Sequence, residues 1–86
     1  MRALVRDAVR ANAPPMARNR QPKIYYATQV GIQPPTIVLF TNDPKDISKP
    51  YQRYLLGKFR DELSFDEVPI KLYLRRRHPA DLRDDV

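Results

Sequence analysis

The sequence predicts an α+β fold in which helices cover one face of a small three-stranded mixed sheet. Apolar residues recur at helical spacing near the N-terminus and again after residue 50. Three short runs rich in β-branched and aromatic residues lie outside those two segments. The 86 residues suffice for one domain, whose small core contributes only about 3–5 kcal/mol of stability.

The first element, residues 2–13, is predicted to be an amphipathic helix. Its apolar residues share one face: Leu4, Val5, Ala8 and Val9. Basic residues repeat every four positions on another face: Arg2, Arg6 and Arg10. That second face can follow a phosphate backbone or can simply be solvated. Pro14 and Pro15 end the helix, because proline lacks the amide donor that a helix interior needs.

Two strands are predicted next, after a basic surface loop at residues 16–22. Residues 23–30, KIYYATQV, and residues 36–42, TIVLFTN, consist mainly of strand-forming side chains. The connection GIQPP contains a glycine and two prolines, which predicts a longer loop rather than a two-residue turn.

Asn42-Asp43-Pro44 is a helix-start pattern, with a capping side chain before a proline at the first helical position. It predicts a short helical turn through Ile47. The same segment contains the letters of a guanine-reading motif in the wrong spacing, so we interpret it as a helix cap.

The clearest helix begins at Pro50 and carries an apolar stripe: Tyr51, Leu55, Phe59 and Leu63. Residues 70–77, IKLYLRRR, alternate between apolar and basic positions, which predicts a strand with one buried face. The predicted core comprises Leu55, Phe59, Leu63, Leu72 and Leu74. A helical crossover makes the last two strands parallel.

Composition limits the kind of function. The net charge of +6 and the pI of about 10 favour an anionic partner, with RNA the first choice. The chain has no cysteine and one histidine, which excludes disulfides and thiolate or histidine-cluster metal sites and favours an intracellular protein. Apolar runs are too short to span a membrane, so neither membrane insertion nor secretion is indicated.

Catalytic patterns are weak. The carboxylate pairs Asp61-Glu62 and Asp66-Glu67 lie near a helix end and a turn, and His78 has no partner pattern for catalysis. A phosphate-binding P-loop is excluded, because the chain has only two glycines, Gly31 and Gly57. We therefore expect neither enzymatic activity nor GTP binding from this chain.

Several separated motifs, in order, resemble the C-terminal KH-like domain of the Der/EngA family of bacterial GTPases. They are KIYYATQV, PPT followed by FTNDP, PYQRYL, and a basic strand that begins with VPI. The resemblance assigns residues 1–77 to a KH-like αββαβ domain, with a helix at 2–13 and a core at 23–77, and leaves residues 78–86 as a polar tail.

The resemblance implies a domain packed on two tandem GTPase domains, in a cytoplasmic protein that helps to mature the large (50S) ribosomal subunit. GTP and magnesium would bind those GTPase domains, and this chain would hold no cofactor or metal and would be a monomer by itself. Ordinary KH domains clamp RNA with a GXXG loop, whereas residues 46–49 here contain no glycine. We therefore expect contacts with phosphate or RNA shape rather than sequence readout.

The candidate RNA-binding residues form two groups. On the last strand they are Lys71, Tyr73, Arg75 and Arg77, and in the basic loop and directly after it they are Arg18, Arg20 and Lys23. Arg76 should face the opposite side of the strand from its neighbours. Tyrosines 25, 26 and 73 can stack on bases, although the adjacent Tyr25 and Tyr26 must face opposite sides.

Alternative explanations stay open for this surface. The basic strand end can dock another domain or be solvated, and tyrosines on strands often pack at the rim of a core. The leading hypothesis is an accessory domain that binds ribosomal RNA and the 50S subunit. The main alternative is a docking module that packs on the GTPase domains and senses their nucleotide state, and a weaker one is a stand-alone RNA-binding protein.

Overall fold

The computed structural model describes residues 2–63 and 68–77. Its helices are α1 (Arg2–Ala11) and α2 (Lys49–Leu63), its strands are β1 (Ile24–Ile32), β2 (Pro35–Thr41) and β3 (Lys71–Arg76), and a 3-10 helix spans Pro44–Asp46. The order of elements is the predicted one. The predicted polar tail at 78–86, with His78, and the Asp66-Glu67 pair lie outside the described residues.

The three strands form one sheet in the order β1-β2-β3. Strands β1 and β2 are antiparallel, and β2 and β3 are parallel. A parallel pair needs a crossover, which the 3-10 helix and α2 supply. The predicted α+β fold with a mixed sheet is confirmed.

Helices α1 and α2 cover one face of the sheet. Leu55 and Phe59 of α2 are each 1% exposed and share a cluster with Ile37 and Leu39 of β2. The other predicted core residues are partly buried against that cluster: Leu63, Leu72 and Leu74. No helix among the described residues is long and apolar enough to cross a membrane.

Two tyrosines of α2 hold the end of α1. The Tyr54 hydroxyl donates to the Ala8 carbonyl at 2.7 Å, and the Tyr51 hydroxyl donates to the Asn12 carbonyl at 2.6 Å. The Ala8 carbonyl also accepts from the Asn12 amide at 3.1 Å, so the two tyrosines bond to the last turn of α1 and to the residue that follows it, and they fix the two helices together. Burial, and then the neighbouring Tyr54, raises the pKa of Tyr51 to about 12.

The predicted long loop between β1 and β2 is wrong. Strand β1 continues to Ile32, and the turn consists of only Gln33 and Pro34, joined by a cis peptide bond. Pro35 opens β2, a position where proline does not interrupt a ladder. Pairing also runs close at Gly31, where an added Cβ would lie 3.0 Å from Thr36 Oγ1. Both prolines and the glycine therefore belong to a tight hairpin.

Candidate nucleic-acid interface

The face of the sheet opposite the helices carries aromatic and basic side chains. Alternation along β3 leaves Lys71, Tyr73 and Arg75 exposed, whereas Leu72 and Leu74 pack against the core. We call this surface the open face, and it comprises Tyr26, Val38, Phe40, Lys71, Tyr73, Arg75 and Arg77.

The aromatic rings of the open face lie close together and beside a cation. The ring centroids of Tyr26 and Phe40 are 4.7 Å apart. The Arg77 guanidinium lies 5.4 Å from the Phe40 centroid and 5.9 Å from that of Tyr26, within cation–π range. Arg77 is thereby held over the aromatic pair rather than extended into solvent.

The β3 side of the open face is more accessible. Tyr73 is 51% exposed and pairs in register with Val38, which is only 8% exposed. Arg75 is exposed and pairs in register with Phe40. The Tyr73 ring therefore has free surface between two exposed cations, Lys71 and Arg75.

A bulge in β1 separates the two adjacent tyrosines. The register shifts between Ile24 and Tyr26, so Tyr25 is the extra residue. Tyr25 lines a groove of about 310 Å³ beside α1, together with Val5 and Val9. Only Tyr26 lies on the open face, as the alternation of the strand predicted.

A second basic group lies at the C-terminal end of β3, on the face of the sheet that the helices cover. We call it the arginine cluster: Arg18, Arg20 and Arg76 with the carboxylates of Asp43 and Asp46. Arg20 Nη2 lies 3.1 Å from Asp43 Oδ2 and 2.9 Å from Asp46 Oδ2. Arg18 Nε lies 3.2 Å from Asp46 Oδ1, and Arg76 Nη2 lies 3.2 Å from Asp43 Oδ2. The loop, the 3-10 helix and β3 are thus joined by ion pairs.

The helix-start pattern places the carboxylates. Asp43 caps the 3-10 helix by accepting from the Lys45 amide at 3.1 Å, as predicted. Asn42 Oδ1 accepts from the amides of Lys23 at 3.0 Å and Asp43 at 2.9 Å. Asn42 therefore fixes the start of β1 beside the end of β2, where Asp43 meets the arginines.

The electrostatics of the cluster favour an ionised Asp43. The Lys45 amide, the Arg20 guanidinium, and the charges of Arg76 and Arg18 hold the pKa of Asp43 below its ordinary value of 3.8. Desolvation opposes this shift. The Asp46 side chain is 0% exposed, and a carboxylate buried to that degree needs paired charge.

A tight turn presents Arg18 and Arg20 to these carboxylates. Ala17 and Arg20 exchange two backbone hydrogen bonds of 2.9 and 2.8 Å. Between them, Arg18 and Asn19 have φ of 51° and 59°, as both central residues of a type I′ turn require. Part of the predicted surface loop is therefore a small hairpin fixed by charge.

Residues 46–49, where the resemblance puts the KH clamp, have structural roles. Asp46 is in the arginine cluster, Ile47 is 4% exposed in the core, and Ser48 Oγ accepts from the Tyr51 amide at 3.3 Å. Side chains engaged in this way are not arranged to hold an RNA backbone, and the segment has no glycine.

The predicted site residues therefore occupy two surfaces. The strand residues Lys71, Tyr73, Arg75 and Arg77 come together on the open face, whereas Arg18 and Arg20 lie in the arginine cluster. Lys23 is exposed, with its backbone bonded to Asn42.

Sequence reasoning missed Phe40 and the Arg76–Asp43 pair. A signal for Phe40 was present, because alternation from the buried Ile37 and Leu39 puts Val38 and Phe40 on the other face of β2. Nothing in the spacing indicated that Asp43 would meet Arg76.

Comparison with known proteins gives consistent matches. Residues 1–75 match the family described as KH-domain-like of EngA bacterial GTPase enzymes, C-terminal. Proteins named GTPase Der are similar: one from Rhodopirellula baltica is 48% identical over 80 residues, covering 93% of this chain and 18% of the relative. One from Desulforamulus reducens is 46% identical over 79 residues, covering 92% and 18%. The chain thus spans about a fifth of the length of the curated relatives it matches.

Proposed function

The chain belongs to the family of KH-like domains at the C-terminus of EngA bacterial GTPases, and from that premise we propose that it is an accessory RNA-binding domain. Its target is ribosomal RNA of the 50S subunit, and its role is in the biogenesis of that subunit in the cytoplasm. GTP and magnesium bind to other domains of the same polypeptide, whose relatives are named GTPase Der. This chain supplies a binding surface rather than a catalytic step.

One observation supports the proposal: the open face combines an accessible aromatic ring with exposed cations two residues before it and two residues after it on the same strand. Tyr73 is 51% exposed between Lys71 and Arg75. Aromatic side chains on a sheet stack on unpaired bases, and each such contact stabilises binding by about 1–3 kcal/mol. Arginine and lysine beside the ring neutralise the phosphates that flank a stacked base.

The kind of recognition follows from what surrounds Tyr73. Cations and a ring contact phosphates and base faces, which every RNA sequence offers. Residues 46–49 are engaged in capping, packing and ion pairs. Binding is therefore mainly electrostatic and depends on salt more than on sequence.

A second candidate function is docking on the GTPase domains of the same polypeptide, with sensing of their nucleotide state. It is favoured by the exposed apolar tip of the β1–β2 hairpin, where Val30 is 62% exposed and Ile32 is 84% exposed. Apolar side chains exposed to this degree are typical of contact surfaces. The tip lies at the far end of β1 from Tyr26, so docking there leaves most of the open face accessible.

The test compares equal losses of charge on two surfaces of the 86-residue chain. Lys71→Gln/Arg75→Gln removes two exposed cations from the open face. The control, Arg6→Gln/Arg53→Gln, removes two exposed cations from α1 and α2. Fluorescence anisotropy with single-stranded fragments of 50S ribosomal RNA is measured at several salt concentrations, with a thermal melt of each variant.

The open-face variant should bind about 25-fold more weakly at 0.1 M salt, with a salt slope shallower by about 1.4, if two phosphate contacts are lost. The control should stay within about threefold of the unsubstituted chain, since it loses only distant charge. Equal losses of affinity in both variants would indicate that RNA responds to the net charge of the chain and not to a binding site on the open face. No binding of RNA by the unsubstituted chain would leave docking as the better proposal.

A further inference from the structure

We propose that the arginine cluster is a second phosphate-binding site, which holds the backbone of the same RNA strand that crosses the open face. This inference rests on the proposed function, because it assumes RNA as the partner. It assigns a role to Arg76, and it gives Arg18 and Arg20 a binding role together with their structural one.

The cluster has its cations outside and its anions inside. The side chains of Arg18, Arg20 and Arg76 are 56%, 50% and 66% exposed. The side chains of Asp46 and Asp43 are 0% and 11% exposed. An anion that approaches from solvent therefore meets guanidinium groups before it meets carboxylates.

Charge and hydrogen-bond capacity both remain after the internal ion pairs are formed. Three cations face two anions, so the cluster keeps a net charge of about +1. The contacts of the arginines with the carboxylates are made through Nε of Arg18 and through Nη2 of Arg20 and Arg76. A guanidinium has five N–H donors, so each arginine has donors left for phosphate oxygens.

The cluster is also ordered before any ligand binds. Asp43 and Asp46 hold the three guanidinium groups in place, so binding does not have to immobilise three flexible side chains. Arg18 has a φ of 51° because it is a central residue of the type I′ turn, and that turn places its side chain beside Asp46.

The position of the cluster connects it to the open face. Arg75 lies on the open face, Arg76 points to Asp43 on the other side of the strand, and Arg77 returns to Tyr26 and Phe40. The end of β3 thus carries guanidinium groups on both of its faces. A single RNA strand that stacks on Tyr73 can pass around this end and place its next phosphates on the cluster.

The experiment uses two variants that remove the same ion pairs, one by replacing the arginines and the other by replacing the aspartates. Arg18→Gln/Arg20→Gln/Arg76→Gln removes the cations, and Asp43→Asn/Asp46→Asn removes the anions. If the cluster served only to hold the loop, both variants would change RNA affinity in the same direction. If it binds phosphate, the arginine variant loses affinity, whereas the aspartate variant keeps or gains it, because each asparagine still offers an oxygen that accepts from the guanidinium groups while two repelling charges are removed.

The measurement is anisotropy with the single-stranded 50S rRNA fragments, for chains whose folding is checked by a thermal melt. The arginine variant should bind at least about fivefold more weakly at 0.1 M salt, and its salt slope should be shallower by about 0.7 per lost phosphate contact. The aspartate variant should bind at least as tightly as the unsubstituted chain. Should the triple variant not fold, Arg18→Gln alone, which breaks only the pair with Asp46, should still lower the affinity.

The outcomes separate this inference from the function on which it rests. Loss of affinity in Lys71→Gln/Arg75→Gln, with none in the arginine variant, would support RNA binding by the open face and refute phosphate binding by the arginine cluster. Loss of affinity in both the arginine and aspartate variants would show a structural role only. Absence of RNA binding by the unsubstituted chain would refute both proposals.

Discussion

The neighbouring residues Arg75 and Arg76 show how differently the two faces of one strand use the same side chain. Arg75 lies exposed on the open face, opposite Phe40 in register. Arg76 turns to the helical side and pairs with Asp43 at 3.2 Å. A run of basic residues on a strand therefore does not form one basic surface, because successive side chains point to opposite faces of the sheet.

The two faces of the sheet also differ in how deeply their side chains are buried. The covered face is a hydrophobic cluster in which Phe59 is 1% exposed, whereas Tyr73 on the open face is 51% exposed. Stability should therefore come mainly from the covered face, and binding from the open one.

The largest change is expected in the free energy of unfolding, when an aromatic residue of the covered face is replaced rather than one of the open face. Phe59→Ala should lower the free energy of unfolding by about 3–5 kcal/mol, because it leaves a cavity in the only large cluster that the described residues form. Tyr73→Ala should lower it by less than about 1 kcal/mol, since Tyr73 is already half exposed. Urea unfolding of both variants measures the difference. Equal losses would show that the assignment of covered and open faces is wrong.

A smaller effect is expected on the stability of the fold at low pH. The folded pKa of Asp43 is lower than its ordinary value of 3.8, so the ionised carboxylate favours the folded state. This contribution is fully present above that value and is lost as the pH falls below it toward the folded pKa. Thermal melts between pH 6 and pH 2 should therefore show a steeper acid loss for the unsubstituted chain than for Asp43→Asn, which keeps a capping side chain. Parallel curves for the two proteins would contradict the role given to the carboxylate.

Much of the fold could be predicted because local pattern and tertiary structure agree. The stripe Tyr51, Leu55 and Phe59 is buried as its helical spacing indicated. The alternation of Leu72 and Leu74 places them toward the core. The capping pattern at Asp43 depends on residues within three positions, so the sequence carries the whole signal.

The remaining features depend on contacts between distant positions. The arginine cluster joins residues 18, 20, 43, 46 and 76, and no local rule pairs those charges. The tight hairpin at Gln33 and Pro34 was missed because both prolines were interpreted as loop signals, although one of them begins a strand.

The most direct test of RNA binding by the open face is to map the residues that RNA contacts on the folded chain. We propose amide chemical-shift mapping by NMR, in which the ¹⁵N-labelled 86-residue chain is titrated with a single-stranded fragment of 50S ribosomal RNA. If RNA binds the open face and the arginine cluster, the shifted amides lie at Tyr26, Phe40 and residues 71–77, with a second group at residues 18–20. Shifts confined to the outward surfaces of α1 and α2, with the open face unchanged, would contradict this prediction.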